Sequence, residues 1–134
     1  MPVPESEEIF TTWTSDLDDR DISLVFLCGE LDASSAPVFL ADMRNVIKQG
    51  KHTVMDVHLL DYVDSTGVGA ILSTRNALHE IGRQMCLIGC HGLLTKILQL
   101  TRIDRELVCL DDIETAKAEI RAATAKSRGR ETTA

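Results

Sequence analysis

The sequence lacks a long apolar segment. No run approaches the roughly 20 consecutive apolar residues that an α-helix needs to cross a bilayer, so no membrane partner is expected. Residues 1–8 are acidic and lack the basic and apolar regions of a secretory signal peptide. These two absences together predict a cytoplasmic protein.

Basic residues are also scarce. The chain has 14 Lys and Arg against 21 Asp and Glu, which gives a formal net charge of −7 at pH 7. Because nucleic-acid binding needs clustered lysines and arginines against the phosphates, a direct nucleic-acid partner is not expected. Lys126, Arg128 and Arg130 do cluster, but they lie outside any apolar pattern. We interpret them as part of a solvated, disordered tail at residues 126–134.

Aromatic residues make up 4% of the chain and apolar residues 44%, which predicts a mostly aliphatic core. A length of 134 residues is enough for one domain with a core of its own. The four cysteines are interpreted first as buried free thiols, because disulfides are rare in cytoplasmic proteins. An alternative stays open for Cys90 and Cys109. If their predicted strands are neighbours, these two residues can approach disulfide distance under oxidation and act as a redox switch.

Motifs of common catalytic and cofactor sites are incomplete. Ser65 would need a glycine two residues earlier to form a hydrolase nucleophile elbow, and Val63 stands there. Gly67-Val68-Gly69 begins a dinucleotide-binding pattern, but Leu72 replaces its third glycine, and the chain has no P-loop. The histidines are not spaced with the cysteines as zinc ligands are. We therefore expect no catalytic residue, no cofactor and no metal site.

Apolar periodicity and turn residues predict that strands and helices alternate along the chain. A polar turn at residues 18–21 is typical of a hairpin, Ser34 is expected to cap the first helix, and Gly50 and Gly82 to end the first two helices. This order predicts an α/β domain with about four helices and a mostly parallel sheet that carries an N-terminal antiparallel strand. Right-handed crossovers place the helices between parallel strands on one face. The predicted strands are residues 9–16, 22–28, 53–60, 84–89 and 106–110, and the predicted helices follow residue 34 and span 70–81, 92–101 and 113 to about 125.

Residues 61–69 are interpreted as the turn between the third strand and its helix. A helix N-terminus leaves backbone N–H groups unpaired and carries a partial positive charge, so it favours a capping oxygen or a phosphate. From position alone, either Asp64 or Ser65 is a candidate for that cap and nothing more. Because parallel strands end at the same edge of a sheet, Asp32 is expected to lie near Ser65.

Two motifs, Gly29-Glu30-Leu31-Asp32 and Asp64-Ser65-Thr66-Gly67-Val68-Gly69, follow the second and third predicted strands. With these motifs the chain resembles the anti-sigma factor antagonists of the STAS domain superfamily over roughly residues 8–120. The resemblance implies a single STAS-type domain at residues 8–125, after a flexible N-terminus at residues 1–7.

The resemblance also implies a regulatory switch. In that family the serine after the aspartate, here Ser65, is phosphorylated by an anti-sigma factor that is itself a serine kinase. Thr66 is the second choice of acceptor. The unphosphorylated protein would bind the kinase and release a sigma factor, and a metal-dependent serine phosphatase would reset it. The residues that the resemblance places at the partner surface are Asp32, Ser34, Asp64, Thr66 and Gly67.

Two other functions and one departure from the family stay open at this point. A STAS domain that is not phosphorylated would act as a scaffold or accessory subunit of a transport or signalling assembly. An esterase-like enzyme would instead use Ser65 as a nucleophile. Relatives commonly carry a glycine after the threonine that ends the third helix, whereas here Thr101 is followed by Arg102.

Overall fold

Five strands form one mixed sheet, with α-helices on both of its faces. The computed structural model describes residues 10–16 and 21–132, with side chains described for residues 10–15 and 21–126. The predicted hairpin turn and flexible N-terminus lie almost wholly outside these residues. The elements in chain order are β1 (Phe10–Asp16), β2 (Ile22–Leu31), α1 (Ala36–Lys48), β3 (His52–Val63), α2 (Ser65–Glu80), β4 (Met85–Ile88), α3 (Gly92–Thr101), a 3₁₀ helix (Ile103–Arg105), β5 (Cys109–Leu110) and α4 (Ile113–Thr132).

The strand order in the sheet is β1-β2-β3-β4-β5, so strands that follow each other in sequence are neighbours. β1 runs antiparallel to β2, with Phe10 opposite Gly29, and the other strand pairs are parallel. This confirms the predicted α/β fold with an antiparallel N-terminal strand. The carboxyl ends of β2, β3 and β4 therefore lie at one edge of the sheet.

Two separate clusters of buried side chains hold the layers together. The larger one joins α1, α2 and α3 to one face of the sheet, with Phe39, Ile71 and Leu94 packing against strand residues such as Val25 and Met55. This confirms that the three crossover helices share a face. The smaller cluster joins α4 to the opposite face. Its buried members are Ile22, Leu24, Val54, Cys86, Ile88, Ala116 and Ile120.

A bulge in β3 changes which of its side chains face the large core. Strict alternation predicts Met55, Val57 and Leu59 on one face. Between the register pairs Phe26–Asp56 and Cys28–Leu59, however, β3 advances by one residue more than β2 does. The alternation prediction is therefore wrong beyond Val57, because the extra residue directs Leu60 rather than Leu59 into the core.

The strand-to-helix turn predicted at residues 61–69 is wrong in its extent. β3 continues to Val63, because its last residues pair with the end of β2, and α2 begins at Ser65. β2 itself runs three residues beyond its predicted end at residue 28. Asp64 alone joins β3 to α2, so the hydroxyls of Ser65 and Thr66 lie in the first turn of a helix.

The carboxyl-terminal elements differ from their predicted bounds. β5 has two residues rather than five, because only Cys109 and Leu110 pair in register with β4, and a 3₁₀ helix precedes them at Ile103–Arg105. The helix predicted to end near residue 125 continues to Thr132. Residues 126–132, which the sequence assigned to the tail, lie in this helix.

Arg102 ends α3 in the left-handed conformation, with φ 60° and ψ 21°. It is the sole non-glycine residue with positive φ in the described part of the chain. The geometry expected of a glycine is thus kept, although an arginine stands there. A left-handed backbone costs a residue with a Cβ atom about 1–2 kcal/mol.

Replacement of Arg102 by glycine is therefore expected to stabilise the protein. The relief of left-handed strain exceeds the roughly 0.5–1 kcal/mol of chain entropy that a glycine adds to the unfolded state, leaving a gain of about 0.5 kcal/mol. Urea unfolding followed by circular dichroism measures the change. Arg105→Gly is the matched control, since it removes the same charge in the neighbouring 3₁₀ helix and is expected to destabilise. A lower stability of Arg102→Gly than of the wild type would contradict the strain argument.

Candidate functional site at the start of helix α2

Asp64 caps α2. Its backbone is extended, with φ −109° and ψ −175°, and its Oδ1 accepts a hydrogen bond of 2.9 Å from the Gly67 N–H. Ser65 and Thr66 follow as the first two helical residues, and both side chains are exposed. Among the described residues no group hydrogen-bonds to the Ser65 hydroxyl. The capping role that position alone left to either residue therefore belongs to Asp64, and the Ser65 hydroxyl faces solvent.

Gly67 brings α2 unusually close to the end of β2. A Cβ atom at Gly67 would lie 2.4 Å from the Leu31 carbonyl oxygen and 2.8 Å from Cγ2 of Val63. The Asp64 N–H also donates to the Leu31 oxygen, at 3.3 Å. These contacts set the first turn of α2 directly against the end of the neighbouring strand, which a larger residue at position 67 would prevent.

Asp32 organises the turn between β2 and α1. Its Oδ1 accepts hydrogen bonds from the Ser34 hydroxyl at 2.7 Å, the Ser34 N–H at 3.0 Å and the Ser35 N–H at 3.2 Å. These bonds, the Ser34 hydroxyl foremost, lower the pKa of the Asp32 carboxyl from its usual value. Because the folded-state pKa is lowered, the carboxylate stabilises the turn above the ordinary carboxyl pKa, and this contribution is lost as pH falls through the lowered value.

Ser34 is not the cap of α1, contrary to the prediction. The capping position is Ser35, which makes no side-chain capping bond but donates from its hydroxyl to the Glu30 carbonyl at 2.8 Å. The hydroxyl of Ser34 is committed to Asp32 instead, and its side chain stays exposed. Ser34 therefore belongs to the surface of the turn rather than to the helix.

The two sequence motifs lie side by side. Leu31 pairs with Val63 across the parallel strands, so Asp32 and Asp64 each follow one member of a neighbouring pair. Glu30 and Asp61 lie nearby on the same strand ends and are exposed. No described lysine or arginine forms an ion pair with any of these carboxylates. We call Glu30, Asp32, Asp61 and Asp64 the acidic rim of the site.

A family model described as the STAS domain matches residues 17–119 of the chain. The chain belongs to the STAS domain family.

Individual relatives match this chain at low sequence identity. The anti-sigma-B factor antagonist of Listeria monocytogenes is 25% identical over 97 residues, which cover 72% of this chain and 84% of that protein. A crystal structure of an anti-sigma factor antagonist from Mycobacterium paratuberculosis matches with a TM-score of 0.74 at 20% identity, over 84% of this chain and 94% of the other. The Bacillus cell fate determinant SpoIIAA in its phosphorylated form matches with a TM-score of 0.62 at 21% identity, over 81% and 97% of the two chains.

An apolar border of this STAS domain lies beside the acidic rim. A small cavity of about 50 Å³ separates the end of β3, at Asp61 to Val63, from the first turn of α3. Tyr62 on β3 and Leu93 on α3 line it, and each is 45% exposed. Leu100 lies seven residues, or about two helical turns, beyond Leu93 and is 84% exposed. We call Tyr62 and Leu93, which line this cavity, the apolar border.

Sequence reasoning did not find this border, although a signal was present. The buried residues of α3 are Leu94 and Leu98, with Ile97 packed against the same core. Leu93 and Leu100 fall outside that inward stripe at the spacing of one heptad, and their exposure is therefore predictable from the sequence. The position of Leu93 beside Tyr62 at the end of β3 is not predictable, because it depends on how α3 packs against β3.

Cys90 and Cys109 form a disulfide, with their Cα atoms 6.3 Å apart. The interpretation as buried free thiols is therefore wrong for this pair and holds in part for the others, since Cys86 is buried and Cys28 half-buried. β4 and β5 are neighbours in register, with Leu87 opposite Cys109. The loop that follows β4 then brings Cys90 over the first residue of β5.

A larger cavity, of about 1050 Å³, lies at the amino-terminal edge of the strands of the STAS domain. Its lining combines apolar residues with charged and polar ones such as His52, His79, Arg83 and Arg121, and includes no residue of either motif. It is therefore separate from the Ser65 site. Within residues 10–16 and 21–132, no group of three or more His, Cys, Asp or Glu side chains is arranged to hold a metal ion. None of the described helices is long and apolar enough to cross a membrane.

Proposed function

We propose that this chain is an anti-sigma factor antagonist switched by phosphorylation of Ser65. Its partner is an anti-sigma factor that is also a serine kinase. The unphosphorylated form binds this partner and thereby releases a sigma factor, and phosphorylation by the same kinase ends the binding. A serine phosphatase restores the active form. The whole exchange takes place in the cytoplasm, and the domain itself catalyses no reaction.

The observation that carries this proposal is the free hydroxyl of Ser65. A kinase needs a hydroxyl that its active site can reach, and Ser65 is exposed at the first position of α2. Asp64 performs the capping, so a change at the Ser65 oxygen leaves the helix cap in place. Thr66 is the second exposed hydroxyl and stands one position further into the helix.

The charges around Ser65 support a switch that changes binding while preserving the fold. A phosphate adds about −1.5 to −2 charges and is stabilised locally by the positive end of the α2 dipole. The same phosphate extends the acidic rim across the surface that a partner must cover. A partner that fits the neutral hydroxyl beside the apolar border is then repelled or left with a buried, unpaired charge.

The proposal is tested by mapping phosphorylated residues with mass spectrometry after incubation with host extract and ATP. We expect phosphate on Ser65 in the wild type and none on that peptide in Ser65→Ala. The matched variant Thr66→Ala, which removes the neighbouring hydroxyl, should still be phosphorylated. Phosphate on Thr66 alone would contradict Ser65 as the switch residue. No phosphate in an extract that modifies other substrates would contradict the switch and favour the scaffold function.

A further inference from the structure

The Cys90–Cys109 disulfide closes a loop that contains the whole of α3. The bonded residues are 19 positions apart, and the helix Gly92–Thr101 lies between them. Apart from this bond, the segment is held by packing and by a short strand. Leu94, Leu98 and Leu107 are buried, Ile97 and Ile103 pack against the same core, and β5 adds two register pairs to β4. A covalent bond across such a segment removes much of the freedom that it would otherwise have.

The segment restrained by the bond lies beside the surface that surrounds Ser65. We call this surface, which is made of the acidic rim and the apolar border, the Ser65 surface. The first turn of α3, at His91 to Leu94, faces the strand end Asp61–Val63 across the small cavity. His91 and the carbonyl of His58 on β3 are also hydrogen-bonded, at 3.0 Å. Greater mobility of α3 therefore acts on Asp61–Val63, which directly precede Asp64, the residue that caps α2.

The chemistry of the four cysteines singles out this pair. Cys109 is exposed and Cys90 half-buried, so a reductant can reach the bond. Cys86 lies in the core, where burial and the nearby Glu119 raise its pKa to about 12. Burial, and to a lesser degree Asp61, raise the pKa of Cys28. Since thiolates carry out exchange, neither free cysteine competes effectively for the bond at neutral pH.

We propose that Cys90 and Cys109 are a reversible redox modification site that controls the α3 border of the Ser65 surface. The oxidised form holds Leu93 and Tyr62 in the arrangement that the partner meets, and the reduced form lets α3 move. In a reducing cytoplasm such a bond forms transiently and reports oxidative conditions. The part of this inference that concerns partner recognition rests on the proposed function, whereas the restraint on α3 does not.

The co-reactants belong to two chemical classes, a dithiol reductant and a peroxide. In reduction, one thiolate of the dithiol attacks the exposed Cys109 sulfur, the S–S bond breaks and Cys90 leaves as a thiolate. The second thiolate of the dithiol then displaces Cys109, and both cysteines take up protons. In oxidation, a cysteine thiolate attacks hydrogen peroxide to form a sulfenic acid. The other cysteine displaces its hydroxyl group, which restores the bond with two waters formed in all.

Hydrogen exchange measured by mass spectrometry on the full chain tests the restraint. After peroxide treatment, we expect a peptide linked through Cys90 and Cys109, and dithiothreitol should remove the link. Reduction should raise exchange in residues 92–101 by about tenfold and increase it in residues 61–64, with α1 unchanged. Cys28→Ser, which keeps the bond, should behave as the wild type does. The double variant Cys90→Ser/Cys109→Ser should show the hydrogen exchange of the reduced wild type, and dithiothreitol should not change it.

A second measurement separates the restraint from the switch. The oxidised wild type and the double variant are incubated with ATP and host extract freed of small thiols, and phosphate on Ser65 is followed in time. Because a pre-ordered surface is recognised at lower entropic cost, we expect the oxidised form to be phosphorylated about threefold faster. Equal rates would overturn control of recognition. Absence of phosphate in both forms would instead contradict the proposed function, while unchanged exchange on reduction would overturn the restraint itself.

Discussion

Ser65→Glu is expected to weaken binding to the anti-sigma factor kinase by about a hundredfold, which corresponds to about 2.7 kcal/mol. The glutamate places a fixed negative charge where the phosphate would stand, at the centre of the acidic rim. Ser65→Ala should bind within about twofold of the unphosphorylated wild type, because the hydroxyl has no described hydrogen-bond partner whose loss would matter. The kinase is recovered from host extract on immobilised Ser65→Ala, and its affinity for each variant is measured by calorimetry.

Ser65→Gln is the control that separates charge from size. Glutamine has the shape of glutamate without its charge, so a loss of affinity much smaller than that of Ser65→Glu would assign the effect to repulsion. The deficit of Ser65→Glu should also shrink as the salt concentration rises, since screening weakens the interaction between exposed charges. Equal affinities of Ser65→Ala and Ser65→Glu for the kinase would show that charge at this position does not control binding.

Gly67→Ala is expected to destabilise the domain by about 2 kcal/mol. In an open helix this substitution would gain about 1 kcal/mol from helix propensity. Here the new Cβ would lie 2.4 Å from a backbone oxygen, that of Leu31, which cannot rotate away. Overpacking of this kind costs about 3 kcal/mol, so the contact outweighs the propensity. Trp13, the sole tryptophan, stacks on Phe26 and reports unfolding in urea by its fluorescence.

Gly69→Ala is the matched control, two residues further along the same helix. A Cβ at Gly69 would meet nothing within 4 Å, so the substitution should stabilise the domain by about 0.5–1 kcal/mol. The two alanines should therefore change stability in opposite directions. A loss of stability in both would indicate that glycine is needed in this turn for a reason other than the contact with Leu31.

Much of the fold is predictable from this sequence because its signals are local. The alternation of apolar runs with Gly50 and Gly82 places the strands and helices in order, and α3 has the predicted bounds of residues 92 and 101. Both glycines have positive φ and follow helices, as expected of helix ends. Bounds were wrong mainly where pairing with a neighbour decided them. The last residues of β2 and β3 are in strand conformation because they pair with each other. The residue pattern of either strand alone does not predict this pairing.

The candidate site divides in the same way. The sequence by itself determined that Asp64, Ser65 and Gly67 lie where a strand meets a helix, since backbone N–H groups at such a junction favour these residue types. Only the tertiary structure decided that Asp64 is the cap, that Gly67 touches Leu31, and that Cys90 reaches Cys109. The physical reason is the separation, along the sequence, of the residues that interact. Capping and periodicity act within a few residues of the chain, whereas close contacts, the bulge in β3 and the disulfide depend on strands and helices that are distant in sequence and meet only in the packed sheet.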